Sequence, residues 1–235
     1  MGFQTYVTGV KSEDFALVSF GGAVNIKNRL ELSIGRQNFH LRDVGKALGL
    51  GNDFIISQTI LGAKLRLIGD AVLDQNTLLP QISVGIQHKI NDDKTVLGLL
   101  GVKRSGTDFY VAATKLFLNK NLLVNTTVRL TKANQYGILG FGGLGGKDSA
   151  YKPSFEASAA YLVTRKLAVG SEVRTKANRL QGALGGDSFR EDAAYDVFAA
   201  YTFGRNLSLT AAYADLGHIA LKNQHAAYLS VQLGF

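Results

Sequence analysis

Apolar and polar side chains alternate along most of this chain, in stretches of about ten residues separated by turn-forming residues. Successive side chains on a strand point to opposite faces, so each stretch reads as a strand with one apolar and one more polar face. In the first, Phe3, Thr5 and Val7 alternate with Gln4, Tyr6 and Thr8. Residues 15–25 place Val18, Phe20, Gly22 and Val24 together, and residues 30–39 set Leu30, Leu32 and Ile34 against Glu31, Ser33, Gly35 and Gln37. Over 55–67, Leu61, Ala63, Leu65 and Leu67 oppose Gly62, Lys64 and Arg66; over 81–90, Ile82, Val84 and Ile86 oppose Ser83, Gly85, Gln87 and Lys89. Residues 107–118 set Tyr110, Ala112, Thr114, Leu116 and Leu118 against Lys115, and residues 122–131 set Leu122, Val124, Val128 and Leu130 against Asn125, Thr127 and Arg129. Stretches 154–163, 167–176, 192–203 and 207–215 repeat the pattern, and 226–235 ends it with Ala227, Leu229, Val231, Leu233 and Phe235 on one face. About twelve strands result, each near the ~9–11 residues that a tilted strand needs to cross a bilayer.

Connection lengths turn the strands into a topology. Tight turns are predicted at Lys27-Asn28, Asn119-Lys120, Arg165-Lys166 and Arg205-Asn206, and longer loops at 40–54, 91–106, 132–152, 177–191 and 216–225. If tight turns share one side, long loops share the other, and both termini fall on the tight-turn side. Short inner turns, long outer loops and an even strand count are the pattern of an outer-membrane barrel. Residues 69–79 are long for their side. Residues 135–143 are strand-like, but counting them alone would move the Arg165-Lys166 turn to the wrong side, so they read as loop. In this topology Tyr110, Phe155, Tyr195 and Tyr213 stand at the outer ends of apolar faces, and Tyr161, Tyr201, Phe203 and Phe235 at the inner ends. Two such girdles suit the headgroup levels of a bilayer. A large soluble sandwich shares the alternation; the placement of aromatics at strand ends favours lipid. The fold class is therefore all-β: one domain over residues 1–235, a closed antiparallel transmembrane β-barrel.

Composition narrows the picture. The chain is 46% apolar, yet no run of ~18 apolar residues offers a transmembrane helix. Only 2 Pro among 27 Gly suits long ladders with tight turns, and the lack of Cys removes disulfides and thiolate metal sites. The net charge of +8 is scattered rather than clustered, so no nucleic-acid partner is expected. Met1-Gly2-Phe3 enters a strand without a signal peptide, which points to a mature chain with a start Met added.

Six blocks, RLELS at 29–33, DVGKALG at 43–49, LPQISVG at 79–85, AATKL at 112–116, TKANQYG at 131–137 and AYADLG at 212–217, resemble a proteobacterial family of predicted outer-membrane proteins. That family is a domain of unknown function, number three-zero-three-four, and the resemblance runs from Gly2 to Phe235. It implies a barrel in the outer membrane of Gram-negative bacteria and carries no activity or catalytic residue. Family members have an N-terminal stretch that this chain lacks, which leaves open a further strand or plug before Gly2.

The polar faces hold charge where a lumen would be. Lys64, Arg66, Lys89, Lys115 and Arg129 line successive strands, and Glu156, Glu172 and Asp196 line the next three, with Arg174 and Lys176 interrupting the acidic wall. Charges inside a barrel must be hydrated or paired. One reading is a narrow porin-like channel whose charged walls set selectivity, passing small polar or anionic solutes. The other is a filled barrel stiffened by salt bridges. Residues 91–106 contain Val96, Leu97, Leu99 and Leu100, which either fold into the mouth as a constriction or pack on the rim or a neighbouring subunit. GFGGLGGKDS at 140–149 fails as a phosphate loop, because Phe141 replaces its first Gly and Asp148 its magnesium-binding hydroxyl. The four His, at 40, 88, 218 and 225, lack ligand spacing, so neither metal nor cofactor is expected. A lipid hydrolase is the remaining alternative, and its one candidate site is His88 with a lipid-side Ser or Thr on a neighbouring strand. Partners are expected to be membrane lipid and lipopolysaccharide, with Arg36 reaching lipid phosphates by snorkelling. Oligomeric state leaves no mark in the sequence.

Ending on an aromatic at the inner edge, the chain also carries the feature that outer-membrane assembly machinery is expected to read. Phe235→Ala is accordingly expected to impair membrane insertion in cells while leaving detergent refolding nearly intact, as followed by surface labelling and by gel mobility.

Overall fold

The computed structural model describes every residue except Leu73, Gln75 and Asn76, which lie within the long connection 69–79. Its strands are β1 (Gly2–Ser12), β2 (Ala16–Ile26), β3 (Leu30–His40), β4 (Ile55–Ile68), β5 (Gln81–Asn91), β6 (Ser105–Phe117), β7 (Leu122–Thr131), β8 (Lys152–Leu162), β9 (Leu167–Arg174), β10 (Ala194–Phe203), β11 (Leu207–Ile219) and β12 (Lys222–Gly234). Each is antiparallel to its sequence neighbours, and β12 returns to pair with β1, so the sheet closes as a barrel. At the seam the Phe235 amide donates to the Phe3 carbonyl at 2.8 Å and the Phe3 amide returns the bond at 2.9 Å. Closure leaves no strand edge unpaired, which is what a sheet in hydrocarbon requires.

The outward faces are apolar. Val7, Ile34, Val197 and Leu229 are each more than half exposed, and they belong to rows that continue around the barrel. Such a surface is far larger than soluble monomers present and matches lipid. The turn between Ile26 and Leu30 has φ of 51° and 52° at Lys27 and Asn28 and is closed by the Arg29 amide donating to the Ile26 carbonyl at 3.0 Å; such paired positive values give a turn whose twist follows the strands.

Inside, aromatic rings lie over glycines of nearby strands, Tyr6 of β1 reaching across β2 to β3. A Cβ on Gly35 would stand 2.7 Å from the Tyr6 hydroxyl, one on Gly170 would stand 2.6 Å from the Phe198 ring, and one on Gly85 would enter the Tyr110 ring. The missing side chains make room for rings that thicken the wall inward.

The long-loop end carries a small apolar core of its own. Helices α1 (Arg42–Ala47) and α2 (Thr95–Leu100) lie in the loops after β3 and β5. Leu97 and Leu100 of α2 are buried with Phe15, Leu41, Ile56, Val102, Ile138, Leu139 and Leu180. These apolar side chains close over the mouth as a cap.

Two expectations need correction. Residues 216–225 are not a long loop, because β11 runs to Ile219 and β12 begins at Lys222. A bulge between Asp215 and His218 breaks the alternation, with Gly217 at φ +65° and its amide held by the Asp215 carboxylate at 2.9 Å. The faces of β6 are also reversed. Asp108, Tyr110, Ala112 and Thr114 pair with the inward residues Gln87, Gly85, Ser83 and Gln81, so Tyr110 points into the lumen rather than to a girdle. Lys115 therefore has the outward parity, and it is no lumen residue. It tolerates that face because it sits at the short-turn rim, where its Nζ donates to the carbonyls of Asp74 and Leu79 at 2.8 and 3.0 Å.

Gly85→Ala should lower stability by about 1–3 kcal/mol, because the Tyr110 ring must shift within a packed interior. Gly9→Ala, which meets nothing within 4 Å, should be near neutral. Urea unfolding in detergent micelles compares them.

Candidate functional site

The lumen narrows toward the long-loop end, where β5 to β8 bring charged side chains inward. Lys89 on β5 and Asp108 on β6 form an ion pair at 2.8 Å, and Asp108 is wholly buried. Arg129 on β7 lies 3.7 Å from Asp108, bonds Glu156 on β8 at 2.7 Å through Nε, and donates to Gln87 at 2.8 Å through Nη1. Its guanidinium also stacks 4.9 Å over the Tyr110 ring. Asp108 further accepts from Thr131 at 2.6 Å. Acid and base thus alternate across neighbouring strands as a paired chain rather than as two opposed walls.

The loop between β7 and β8 folds down onto this network. Lys89 Nζ donates to the Tyr136 carbonyl at 3.1 Å, and Asn91 Nδ2 donates to the carbonyls of Gly137 and Ile138 at 3.1 and 2.9 Å. Phe141, only 2% exposed, wedges its ring against Gly106 and Gly137. Asn134 ties the loop to itself by donating to Leu139 and Gly142 carbonyls. Gln135 and Tyr136 take left-handed φ of 44° and 59°. A non-glycine residue held there costs on the order of 1–3 kcal/mol, so the surrounding bonds must hold it in place. Glycines at 137, 140 and 142, with φ of 105°, 73° and 87°, make the remaining reversals possible.

From the opposite side, the loop between β9 and β10 supplies Glu191, whose Oε2 accepts the Gln135 amide at 2.9 Å. Lys176 Nζ donates to Gln135 Oε1 at 3.2 Å and to the Leu216 carbonyl at 2.8 Å. The cavity left between loop and wall is about 20 Å³, lined by Lys89, Asp108, Arg129, Tyr136, Glu156 and Glu191 among others. That is room for about one water. Burial pushes the Glu191 carboxyl up to about 7, against smaller downward pulls from the Gln135 amide, Lys176 and Arg179.

Other residues expected in the lumen are placed as follows. Lys64 faces Glu31 across β3 and β4, and Arg66 is paired with Asp70 at the short-turn rim. Glu172 pairs with Arg174 two residues along β9 and stands opposite Asp196 of β10. Outward at the long-loop end are Phe155, Tyr195 and Tyr213, and outward at the short-turn end are Tyr161, Tyr201, Phe203 and Phe235. Phe109 occupies the outward position next to Tyr110 and meets Tyr151 edge-on at 5.7 Å. Leu97 and Leu100 of α2, with Val96 packed against them, meet Ile138 and Leu139 of the inward loop in the cap, while Leu99 is exposed. His88 faces outward and its Nδ1 lies 2.9 Å from Thr107 Oγ1. Arg36, also outward, bonds Thr59 at 2.9 Å and pairs with Asp92 at 2.5 Å.

Asp108, Asn91, Tyr136 and Glu191 were not singled out by sequence reasoning. Asp108 alone carried a usable signal: a carboxylate in mid-strand toward the outer half cannot face lipid, which fixes the parity of β6 and turns Tyr110 inward.

A family model described as "Protein of unknown function (DUF3034)" matches residues 1–232. No curated protein is similar in sequence at a significant level. Among solved structures the fold is similar to the KdgM porin in complex with disordered oligogalacturonate, at 11% identity and TM-score 0.62 over 99% of each chain. It is similar to the NanC porin at 9% identity and TM-score 0.63 over 98% of each chain. It is also similar to outer membrane phospholipase A from Escherichia coli, at 9% identity and TM-score 0.51 over 98% of this chain and 92% of that one. Shared architecture is what these identities establish.

Asp108→Ala should destabilise the barrel by about 3 kcal/mol, since it strands the Lys89 ammonium in a dry site. Adding Lys89→Met should recover much of that loss, and the pair of variants is compared by urea unfolding in detergent.

Proposed function

This chain belongs to the DUF3034 family, and we propose that it is an outer-membrane pore held shut by its own β7–β8 loop. The observation that carries this reading is what makes the constriction. Strand side chains leave a polar lumen, and the segment that fills it is a loop inserted from one end. A loop can withdraw without breaking a ladder; a wall cannot. Beyond the loop, Gln4 and Gln232 at the short-turn end are exposed to water inside the barrel, and Glu31 and Lys64 are half-buried. A hydrated vestibule of this kind has no use in a barrel that is only a membrane rivet.

The solute class follows from the lining. Lys89, Arg129, Arg174 and Lys176 approach the constriction with Asp108, Glu156, Glu172 and Glu191 between them, and the chain carries a net charge of +8. Small polar solutes with a mild preference for anions suit that balance. The long-loop end faces outward from the cell and the short turns face the periplasm, as in the barrels this fold resembles. Lipid and lipopolysaccharide surround the apolar belt, and the assembly machinery reads Phe235.

A second reading rests on the His88–Thr107 pair at the lipid face, 2.9 Å apart, which is the geometry of a base beside a hydroxyl nucleophile. It ranks below the pore because, among the described residues, no further group bonds the His88 ring to orient it. Phospholipid hydrolysis lost in His88→Ala would bring it forward.

Deleting residues 135–141 should raise single-channel conductance in planar bilayers several-fold over the intact chain. If the intact chain and the deletion both match protein-free membranes, the barrel is filled and structural, and the pore reading fails.

A further inference from the structure

Resting on the pore reading, we propose that Glu191 is a pH-sensitive latch for the β7–β8 loop: neutral, it keeps the loop in the lumen; ionised, it favours release, so the pore shuts in acid and opens toward neutrality.

Glu191 is 7% exposed and stands where the two inward loops meet. One carboxyl oxygen accepts the Gln135 amide at 2.9 Å, and the other has no hydrogen-bond partner among the described residues. A protonated acid still accepts the Gln135 amide through its carbonyl oxygen, whereas a carboxylate places a full charge in a cavity with room for about one water. The residue it holds, Gln135, begins the left-handed pair with Tyr136, so the latch acts on the most strained backbone of the loop.

The surrounding charges do not compensate the carboxylate directly. Lys176, from the end of β9, directs its ammonium to Gln135 Oε1 and the Leu216 carbonyl. Arg179, from the same loop as Glu191, donates to the carbonyls of Thr131, Asp148 and Ala150 and pairs with the Asp148 carboxylate at 3.0 Å. Across the cavity Lys89, Asp108, Arg129 and Glu156 are paired among themselves, and Tyr136 lies beside them. At the rim Asp192 is taken by His218 at 2.6 Å and by Arg190 at 3.0 Å.

The sign follows from linkage. With the loop in place the carboxyl titrates at about 7, above its ordinary 4.5, and the hydrated group of the open form returns toward that value. Closure is therefore favoured fully below pH 4.5 and loses that support as pH rises through about 7. Lys176, whose proton affinity burial lowers, acts in the opposite sense, so the two must be separated by mutation.

The chain has no Trp, so a single Trp reports on the loop without background. In Phe141→Trp, emission should shift to the red between pH 5 and pH 8 with a midpoint near 7, and adding Glu191→Gln should abolish the shift while Lys176→Gln should leave it. Tyr136→Trp serves as a second reporter should the first refold poorly. Single-channel open probability of the intact chain should rise over the same range and become flat in Glu191→Gln. A pH-independent emission in both reporters, or a shift that survives Glu191→Gln, overturns the latch even where conductance is present. A Glu191-dependent shift with no conductance at any pH supports the latch and overturns the pore reading.

Discussion

A charge enclosed by a barrel has to be hydrated or paired, and the interior of this chain is arranged around that constraint. Asp108 has no exposed surface, and it survives there because Lys89, Arg129 and Thr131 converge on it. Arg129 then engages Glu156 and Gln87, so one buried carboxylate draws β5, β6, β7 and β8 into a shared network. Breaking such a group apart is costly because the remaining charge stays in a dry site. The network also explains why the loop can lie in the lumen. Lys89 and Asn91 have donors left over, and the carbonyls of residues 136–138 accept them.

Wall and loop divide the work. The strands supply a closed ladder, an apolar exterior and a polar bore, all of which satisfy the membrane whatever the bore does. The loop supplies what is specific to this molecule: three non-glycine residues in left-handed geometry, Gln135, Tyr136 and Asp148, a buried Phe141 at its root and a carboxyl contact from a second loop. Strain of that kind persists only where neighbours hold it, and here the neighbours are titratable. The apolar cap of Leu97, Leu139 and Leu180 above it adds apolar burial to the bonds that Lys89 and Asn91 make from the wall.

The reversed face of β6 shows where alternation stops being informative. Both parities of that strand are apolar, Phe109, Val111 and Ala113 on one and Tyr110, Ala112 and Leu116 on the other, and of the two charges in 107–118, Asp108 and Lys115, the expected faces rested on Lys115. A lysine near a rim is a poor marker, since Lys115 is buried at 6% exposure while its amine reaches the Asp74 and Leu79 carbonyls of the neighbouring connection. A short carboxylate has no such reach, so Asp108 identifies the inward face where Lys115 does not. The bulge at Asp215–His218 misleads for a related reason: one extra residue shifts parity, and a continuing strand then reads as loop.

Twelve strands, their order and the ends at which most turns lie were legible in the sequence, because period-two alternation and turn chemistry are local and a membrane enforces both at nearly every residue. The family was legible as well, in blocks such as TKANQYG at 131–137, which turns out to begin the inserted loop. What only the tertiary structure decided is whether the bore is filled and by what. Lys89 meets Tyr136 across 47 positions and Glu191 meets Gln135 across 56, and no periodicity links residues so far apart. The direction in which a loop folds depends on which donors the wall leaves unpaired, and that is known only once the strands have closed.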